Sequence, residues 1–282
     1  MTTLIDGKAA AKRIRARVSA EVAAAYATPD LAPCLATVLV GEDPASAVYV
    51  ASKRRAARAA GMRDVHRSLP ETSTQEQVAA AIDELAADPG VSGILLQLPL
   101  PKGLDSAALI ERIPVTKDVD GLTTMSAGLL SRGEPGLRPC TPSGVIELLD
   151  IEGVATRGAR AVVVGRSELV GRPLAQMLLQ RDATVSIAHR HTADLAEVTS
   201  PADILVVAAG VRGLIGPEHV KPGATVIDVG IHRTETGLKG DVRAGELDGI
   251  AGRITPVPGG VGPMTIAMLM ANTLQAAQWA RG

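Results

Sequence analysis

Tyr49 and Lys53 stand four residues apart at the start of a predicted helix, in a chain of 282 residues with no phenylalanine, two tyrosines and one tryptophan. A core packed almost without aromatic rings has little structural use for this tyrosine. Residues i and i+4 share a helical face. The pair therefore sets a phenol beside an amine, a surface on which a flat ligand stacks and a proton moves. The same spacing also serves a half-buried tyrosine next to a solvated lysine. The elements that would hold the pair are legible around it. Val40-Gly41 ends a strand, Asp43 has the character of an N-cap, Pro44 suits the first helical position, and Gly61 closes the helix.

Three further stretches exceed what generic α/β packing requires: Gly93–Pro101, Lys117–Gly121 and Pro256–Thr265. Gln97 puts an amide at the C-terminal end of an apolar strand, where open α/β sheets hold ligands, and an amide both donates and accepts. Asp120 offers a carboxylate to a ring bearing adjacent amino and N–H donors, or else serves as a turn residue. The run Pro258-Gly259-Gly260 gives a rigid loop whose missing side chains let a ligand approach the backbone.

Apolar runs of strand length alternate with Ala-rich helical patterns. The first series is Leu35–Val40, a helix over 44–60, Val65–Leu69, a helix near Gln75–Ala87, and Gly93–Gln97. The second is Ala161–Val164, a helix from Pro173, Thr184–Ala188, Ile204–Ala208 and Thr225–Val229. This rhythm predicts parallel sheets with strands buried on both faces. Thr123–Arg138, with Gly128, Gly133, Pro135 and Gly136, reads as the crossing between two domains. The expected fold class is α/β with two domains: an N-terminal α/β catalytic domain and a C-terminal Rossmann-type dinucleotide-binding domain, with an active-site cleft between them. The expected boundaries are 1–137 and 138–263, with the helical segment 264–282 returning to the first domain.

In the second series a strand runs into Gly165-Arg166-Ser167-Glu168-Leu169-Val170-Gly171 and then a helix. Strand, tight turn and helix N-terminus make an anion site. Only Gly165 meets the G-x-G-x-x-G spacing; Ser167 and Val170 take the other two places and Gly171 comes one residue late, so a plain β-turn-α connection fits as well. An NAD site ordinarily ends its next strand in a carboxylate for the ribose hydroxyls. Here that strand ends in His189-Arg190-His191-Thr192. Arg190, with Arg166, suits a 2′-phosphate, which favours NADP; a solvated loop charge is the alternative reading of Arg190. The two histidines lack a third ligand at useful spacing, so no metal is expected.

Lys+Arg 29 against Asp+Glu 30 leave a formal charge of -1, which excludes bulk electrostatic binding to nucleic acid or an anionic membrane. The first 18 residues carry Asp6, Lys8, Lys12, Arg13, Arg15 and Arg17 instead of an apolar run, and no stretch reaches membrane-spanning length. A soluble, cytoplasmic protein is expected. Cys34 and Cys140 have no ligand-like neighbouring cysteine and read as free thiols.

Taken together, the chain resembles the bifunctional methylenetetrahydrofolate dehydrogenase/cyclohydrolase family over nearly its whole length. The resemblance rests on Val40-Gly41 with Asp43–Ser46 and Tyr49-Val50 leading to Lys53; Gln97–Pro101; Lys117–Gly121; Pro139–Pro142; Gly165–Ser167 with Val170-Gly171; and Pro256–Thr265. It implies oxidation of 5,10-methylenetetrahydrofolate with NADP, then hydrolysis of the methenyl product to 10-formyltetrahydrofolate, in a homodimer. It also implies roles. Lys53 activates water, favoured as the neutral amine by desolvation and by the like charge of Arg54. Gln97 holds that lysine, Tyr49 stacks on or orients the folate, and Asp120 anchors the pterin. Pro258, Gly259 and Gly260 line the folate side; Gly165, Arg166, Ser167, Arg190, Thr192 and Ile231 line the cofactor side. The chain departs from the family after Gly121, where Leu122-Thr123-Thr124-Met125-Ser126 replaces an aromatic, a His-Pro pair and an Asn, and again at His189-Arg190-His191. An amino-acid dehydrogenase of similar architecture and a non-catalytic cofactor sensor are the competing readings; the contexts of Asp120 and Pro258–Gly260 speak against the former, and the intact Tyr49, Lys53, Gln97 and Asp120 against the latter.

Overall fold

The computed structural model describes Met1–Arg281, apart from the side chain of Ala45. In chain order the elements are β1 (Thr3–Leu4), α1 (Gly7–Ala25), β2 (Cys34–Val40), α2 (Pro44–Ala59), β3 (Arg63–Leu69), α3 (Gln75–Ala87), β4 (Gly93–Leu96), α4 (Ser106–Ile110), α5 (Thr124–Arg132), α6 (Cys140–Ile151), β5 (Arg160–Val164), α7 (Gly171–Leu179), β6 (Thr184–Ala188), α8 (Leu195–Thr199), β7 (Ile204–Val207), β8 (Thr225–Asp228), β9 (His232–Thr234), β10 (Gly237–Lys239), β11 (Arg253–Ile254) and α9 (Val261–Trp279). They form two compact units. One comprises Lys12–Cys140 and the chain from Ile266 onward; the other comprises Met1–Ala11 and Thr141–Thr265.

The unit carrying Lys53 is built on a three-stranded parallel sheet ordered β3-β2-β4. Every residue of the central strand β2 is buried, as its unbroken apolar run requires. Asp43 caps α2, accepting the Ser46 N–H at 2.7 Å, with Pro44 in the first turn. Thr74 and Gln77 close a reciprocal capping box on α3. Arg54 and Arg58 of α2 both bind Asp64 of β3, at 3.0 and 2.9 Å, fastening the helix to the sheet edge. Val78, Ile82 and Leu85 of α3 pack with Val38, Ile94 and Leu96 to fill the core.

The unit carrying Gly165 has a six-stranded, wholly parallel sheet in the order β1-β11-β8-β7-β5-β6, and β9 and β10 make a separate antiparallel hairpin. The order reverses beside β5, which is where the glycine turn emerges, and open α/β sheets take ligands at such reversals. Val162, Val164, Leu205, Val207 and Val226 form the centre of its core.

The sequence reading gave Met1–Ala11 to the catalytic domain, whereas those residues cluster with the nucleotide-type unit, because β1 pairs in parallel with β11, Thr3 opposite Arg253. Thr123–Arg138 is not a crossing segment. Its first part is helix α5, capped by the Thr123 hydroxyl on the Ser126 N–H and ended by Gly133 in the left-handed region at φ 73°. Gly128 sits within that helix with open space around it, so its glycine signalled nothing about chain direction. The division falls later, between Cys140 and Thr141.

Candidate active site

Tyr49 and Lys53 lie on α2, as their spacing predicts. Tyr49 is 48 % exposed, while the other tyrosine, Tyr26, is buried against the Arg281 guanidinium. The chain thus leaves uncovered the ring best placed for a ligand, one helical turn before Lys53. The Lys53 ammonium nitrogen Nζ is 3.1 Å from Gln97 Oε1. Gln97 follows β4, its main-chain N–H donating to Val38 O, and its side-chain Nε2 donates to Leu98 O at 2.5 Å. With its donor end spent on that carbonyl, the amide turns only an acceptor toward the lysine. Leu98-Pro99 is a cis peptide. Arg54, expected to act on Lys53 as a like charge, is bound to Asp64 through both carboxylate oxygens, so its charge is compensated.

The segment Lys117–Gly121 divides its labour residue by residue. Lys117 Nζ donates to Ala86 O and Asp88 O at 2.8 and 2.7 Å, ending α3 with a cation; burial lowers the pKa of that ammonium. Asp118, 1 % exposed, accepts from the Leu122 and Thr123 N–H groups and the Ser126 hydroxyl, which fixes the start of α5. Val119 fills the space beside Gly93; a Cβ on Gly93 would lie 2.2 Å from Val119 Cγ1. Gly121 has φ 65° and backs onto the Arg138–Pro139 peptide, where a side chain would collide. All four neighbours of Asp120 in this segment are thereby consumed by architecture, and Asp120 itself is half-buried among them.

Two participants escaped the sequence reading. Cys140, read only as a free thiol, is buried, and its S–H donates to Val119 O at 3.3 Å. Burial pushes the thiol well above its ordinary pKa, and Asp120 raises it further by its charge and by a hydrogen bond, with Lys53 acting weakly in the opposite sense. Cys140 therefore marks Asp120 and Lys53 as members of one neighbourhood. Asn272 of α9 donates through Nδ2 to Val119 O and Arg138 O, both at 2.8 Å, and supports the loop that presents Asp120. A buried amide calls for such partners, but its burial shows only in the fold.

In the other unit, Gly165 ends β5 at φ 135°, and a Cβ there would lie 2.2 Å from Ala208 O; a Cβ on Gly171 would lie 2.1 Å from Gly165 O. Gly171 thus performs the close helix–strand packing of a fingerprint glycine although it comes one residue late. The Ser167 hydroxyl accepts the N–H groups of Val170 and Gly171 at 3.2 and 3.4 Å and so begins α7. After β6, Thr192 Oγ accepts the His189 N–H at 2.8 Å, and Arg190 Nε donates to His191 Nε2. Among the described residues neither Arg166 nor Arg190 is in an ion pair, and no carboxylate stands where an NAD ribose would need one. These residues fit a dinucleotide carrying an extra phosphate.

Also in this unit are Ile231, 46 % exposed, and the loop Pro258–Gly260. Val257-Pro258 is cis, Gly259 has φ 110°, and Gly260 is pressed against Gly7, where a Cβ would lie 1.8 Å from Gly260 O. Two carboxylates missed by the sequence reading underlie this region. Asp228 accepts from the N–H groups of Gly230, Asp241 and Val242, yet desolvation and the nearby Asp241 raise its pKa to about 6. Asp241 accepts from the N–H groups of Ala209 and Gly210, both at 2.8 Å, and from His232 Nε2 at 2.7 Å.

Residues 5–120 match the description "Tetrahydrofolate dehydrogenase/cyclohydrolase, catalytic domain", and residues 139–281 match "Tetrahydrofolate dehydrogenase/cyclohydrolase, NAD(P)-binding domain". The chain belongs to the tetrahydrofolate dehydrogenase/cyclohydrolase family. A bifunctional protein FolD 2 of Frankia alni is 64% identical over 98% of this chain and 96% of its own. The crystal structure of the bifunctional FolD enzyme from Campylobacter jejuni superposes with a TM-score of 0.96 at 43% identity, covering 99% of both chains. The Trypanosoma brucei enzyme, solved with NADP cofactor and inhibitor, gives 0.94 at 39% identity over 99% of this chain and 98% of that one.

Proposed function

We propose that this tetrahydrofolate dehydrogenase/cyclohydrolase oxidises 5,10-methylenetetrahydrofolate to the 5,10-methenyl compound with NADP, then hydrolyses that product to 10-formyltetrahydrofolate. The observation that carries the reading is the Lys53 amine held 3.1 Å from the Gln97 amide on the exposed face that Tyr49 shares, with the half-buried Asp120 carboxylate in its neighbourhood. NADP supplies the acceptor for a hydride, two electrons and one proton leaving the methylene carbon together. On the folate side the nitrogen lone pair drives that departure, so the chain contributes orientation more than acid–base work. Tyr49 stacks on the folate ring and Asp120 accepts its adjacent amino and N–H donors. For hydrolysis, water adds to the methenyl carbon and gives one proton to Lys53; the adduct's hydroxyl then gives up its remaining proton as the formyl C=O forms, and the carbon–nitrogen bond that breaks leaves its nitrogen carrying that proton as N–H. Gln97 keeps the amine aimed during the transfer.

Gly165, Arg166, Ser167, Arg190, Thr192 and Ile231 hold the cofactor in this reading, and Pro258, Gly259 and Gly260 the folate. Arg190 and Arg166, free of carboxylate partners among the described residues, support preference for the 2′-phosphate of NADP over NAD. A cytoplasmic homodimer completes the proposal, supported by the resemblance, by a formal charge of -1 and by the lack, among the described residues, of a helix long and apolar enough to cross a membrane. The deciding experiment follows absorbance with methylenetetrahydrofolate and either NADP or NAD, and then the decay of methenyl product. NADP-preferring formation followed by accelerated decay supports the proposal; oxidation without accelerated decay removes Lys53 from its assigned role.

A further inference from the structure

Ile231 lies between two fastened residues. Before it, the Gly230 N–H donates to Asp228 Oδ1 at 2.9 Å, and a Cβ on Gly230 would stand 2.3 Å from Asp241 Oδ1. After it, the His232 ring donates Nε2–H to that same Asp241 oxygen at 2.7 Å. The Asp241 side chain is fully buried and that of His232 is 23% exposed. Asp241 Oδ2 is taken by the Ala209 and Gly210 N–H groups beyond β7. One carboxylate therefore ties together the chain leaving the carboxyl ends of β7 and β8, the edge at which parallel sheets hold nucleotides. His232 is the donor in this knot that belongs to the Ile231 segment, and it opens the hairpin, pairing with Lys239 just before Gly240-Asp241.

We propose that His232 is a positioning residue for the nicotinamide cofactor: its hydrogen bond to Asp241 fixes the Ile231 backbone in register with the β7 carboxyl end. The proposal rests on the cofactor reading given above. It differs from the role of Arg190, since nothing at His232 reads a 2′-phosphate, so NADP and NAD are affected alike.

The test is direct calorimetric titration of NADP and of NAD into the full-length protein, with thermal midpoint and folate KM measured in parallel. His232→Leu deletes the donor at a partly exposed site, and His232→Gln returns an N–H near the original Nε2. Loss of one hydrogen bond to a charged group predicts about tenfold weaker binding of both nucleotides in His232→Leu. Binding by His232→Gln returns to within about threefold of the parent, and folate KM stays unchanged in both variants. Wild-type affinity in His232→Leu, or a Gln variant as weak as the Leu variant at equal thermal midpoint, overturns the proposal. Failure of the parent protein itself to bind either nucleotide overturns the cofactor reading, and the proposal with it.

Discussion

Replacing Gln97 with leucine separates the two activities, and the size of the effect follows from the geometry. The variant loses the acceptor 3.1 Å from Lys53 Nζ. A hydrogen bond to a charged group contributes about 1.5–3 kcal/mol, and a length near the long end of the usual range favours the lower half of that span, about 2 kcal/mol. That corresponds to roughly thirtyfold in rate. The variant also loses the Nε2 donation to Leu98 O, a neutral bond of about 1 kcal/mol that bears on the loop and hence on both reactions. Dehydrogenase turnover should fall by no more than about fivefold, and the ratio of cyclohydrolase to dehydrogenase turnover by about thirtyfold. The assay measures methenyl formation and methenyl hydrolysis separately at saturating folate. In the Lys53→Met background, Gln97→Leu should cost residual hydrolysis no more than the roughly fivefold loop effect, without the further thirtyfold, because the lysine and the amide act as a unit. An unchanged ratio, or additive losses, would refute the assignment of Gln97 as the group that aims the lysine.

Arg190→Ala should weaken NADP binding by about tenfold to a hundredfold while leaving NAD nearly untouched, and equal weakening of the two removes Arg190 from the 2′-phosphate. Gly93→Ala should cost about 1–3 kcal/mol in urea unfolding and raise folate KM, because the new methyl displaces Val119 and with it the Asp120 loop. Adding Val119→Ala should recover most of both losses; no recovery sinks the contact as the cause. Asp228 predicts a pH effect of defined sign. Its native pKa of about 6 lies above the ordinary 3.8, so between those values the folded state holds the proton more tightly than the unfolded chain. Stability from this group is full below the lower value and lost as pH rises through the upper one, about 3 kcal/mol in all. The stability advantage of the parent over Asp228→Asn should narrow by that order between about pH 4 and pH 7; an advantage that widens instead would show that the three N–H donors outweigh desolvation.

What the sequence disclosed was what periodicity encodes. Gln75–Ala87 and Thr184–Ala188 were bounded as the structure has them, and Leu35–Val40, Ala161–Val164 and Thr225–Val229 to within a residue. Buried parallel strands and capped helices announce themselves locally. Two-residue strands do not: β1 and β11 have no alternation to read, and they exist because β11 pairs with β8 and β1 adds to β11 at the sheet edge. Helix α1 was masked by its run of Lys and Arg residues, which interrupts the apolar pattern. In the site, Lys53 with Gln97 was legible because Lys53 stands one turn after Tyr49 on α2 and Gln97 directly follows the apolar strand β4. Asn272, Cys140, Asp228 and Asp241 were not, since most of their partners lie well away in sequence, such as Val119 O for Asn272 and the Ala209 and Gly210 N–H groups for Asp241. The Lys117–Gly121 motif was recognised as a block, but only geometry shows that Asp118 is held by the Leu122 and Thr123 N–H groups and the Ser126 hydroxyl.

The parallel pairing of Thr3 with Arg253 also sets a timetable for the nascent chain. β1 leaves the ribosome long before the strand it must join, which follows roughly ten to fifty seconds later at about 5–20 residues per second. The other unit waits as well, because it is finished only by residues from Ile266 onward. Neither half can complete its fold during elongation and then stand by for the other. Both wait for residues at or beyond Arg253, so a ribosome that stalls before the codons for Arg253 releases two unfinished cores rather than one working domain.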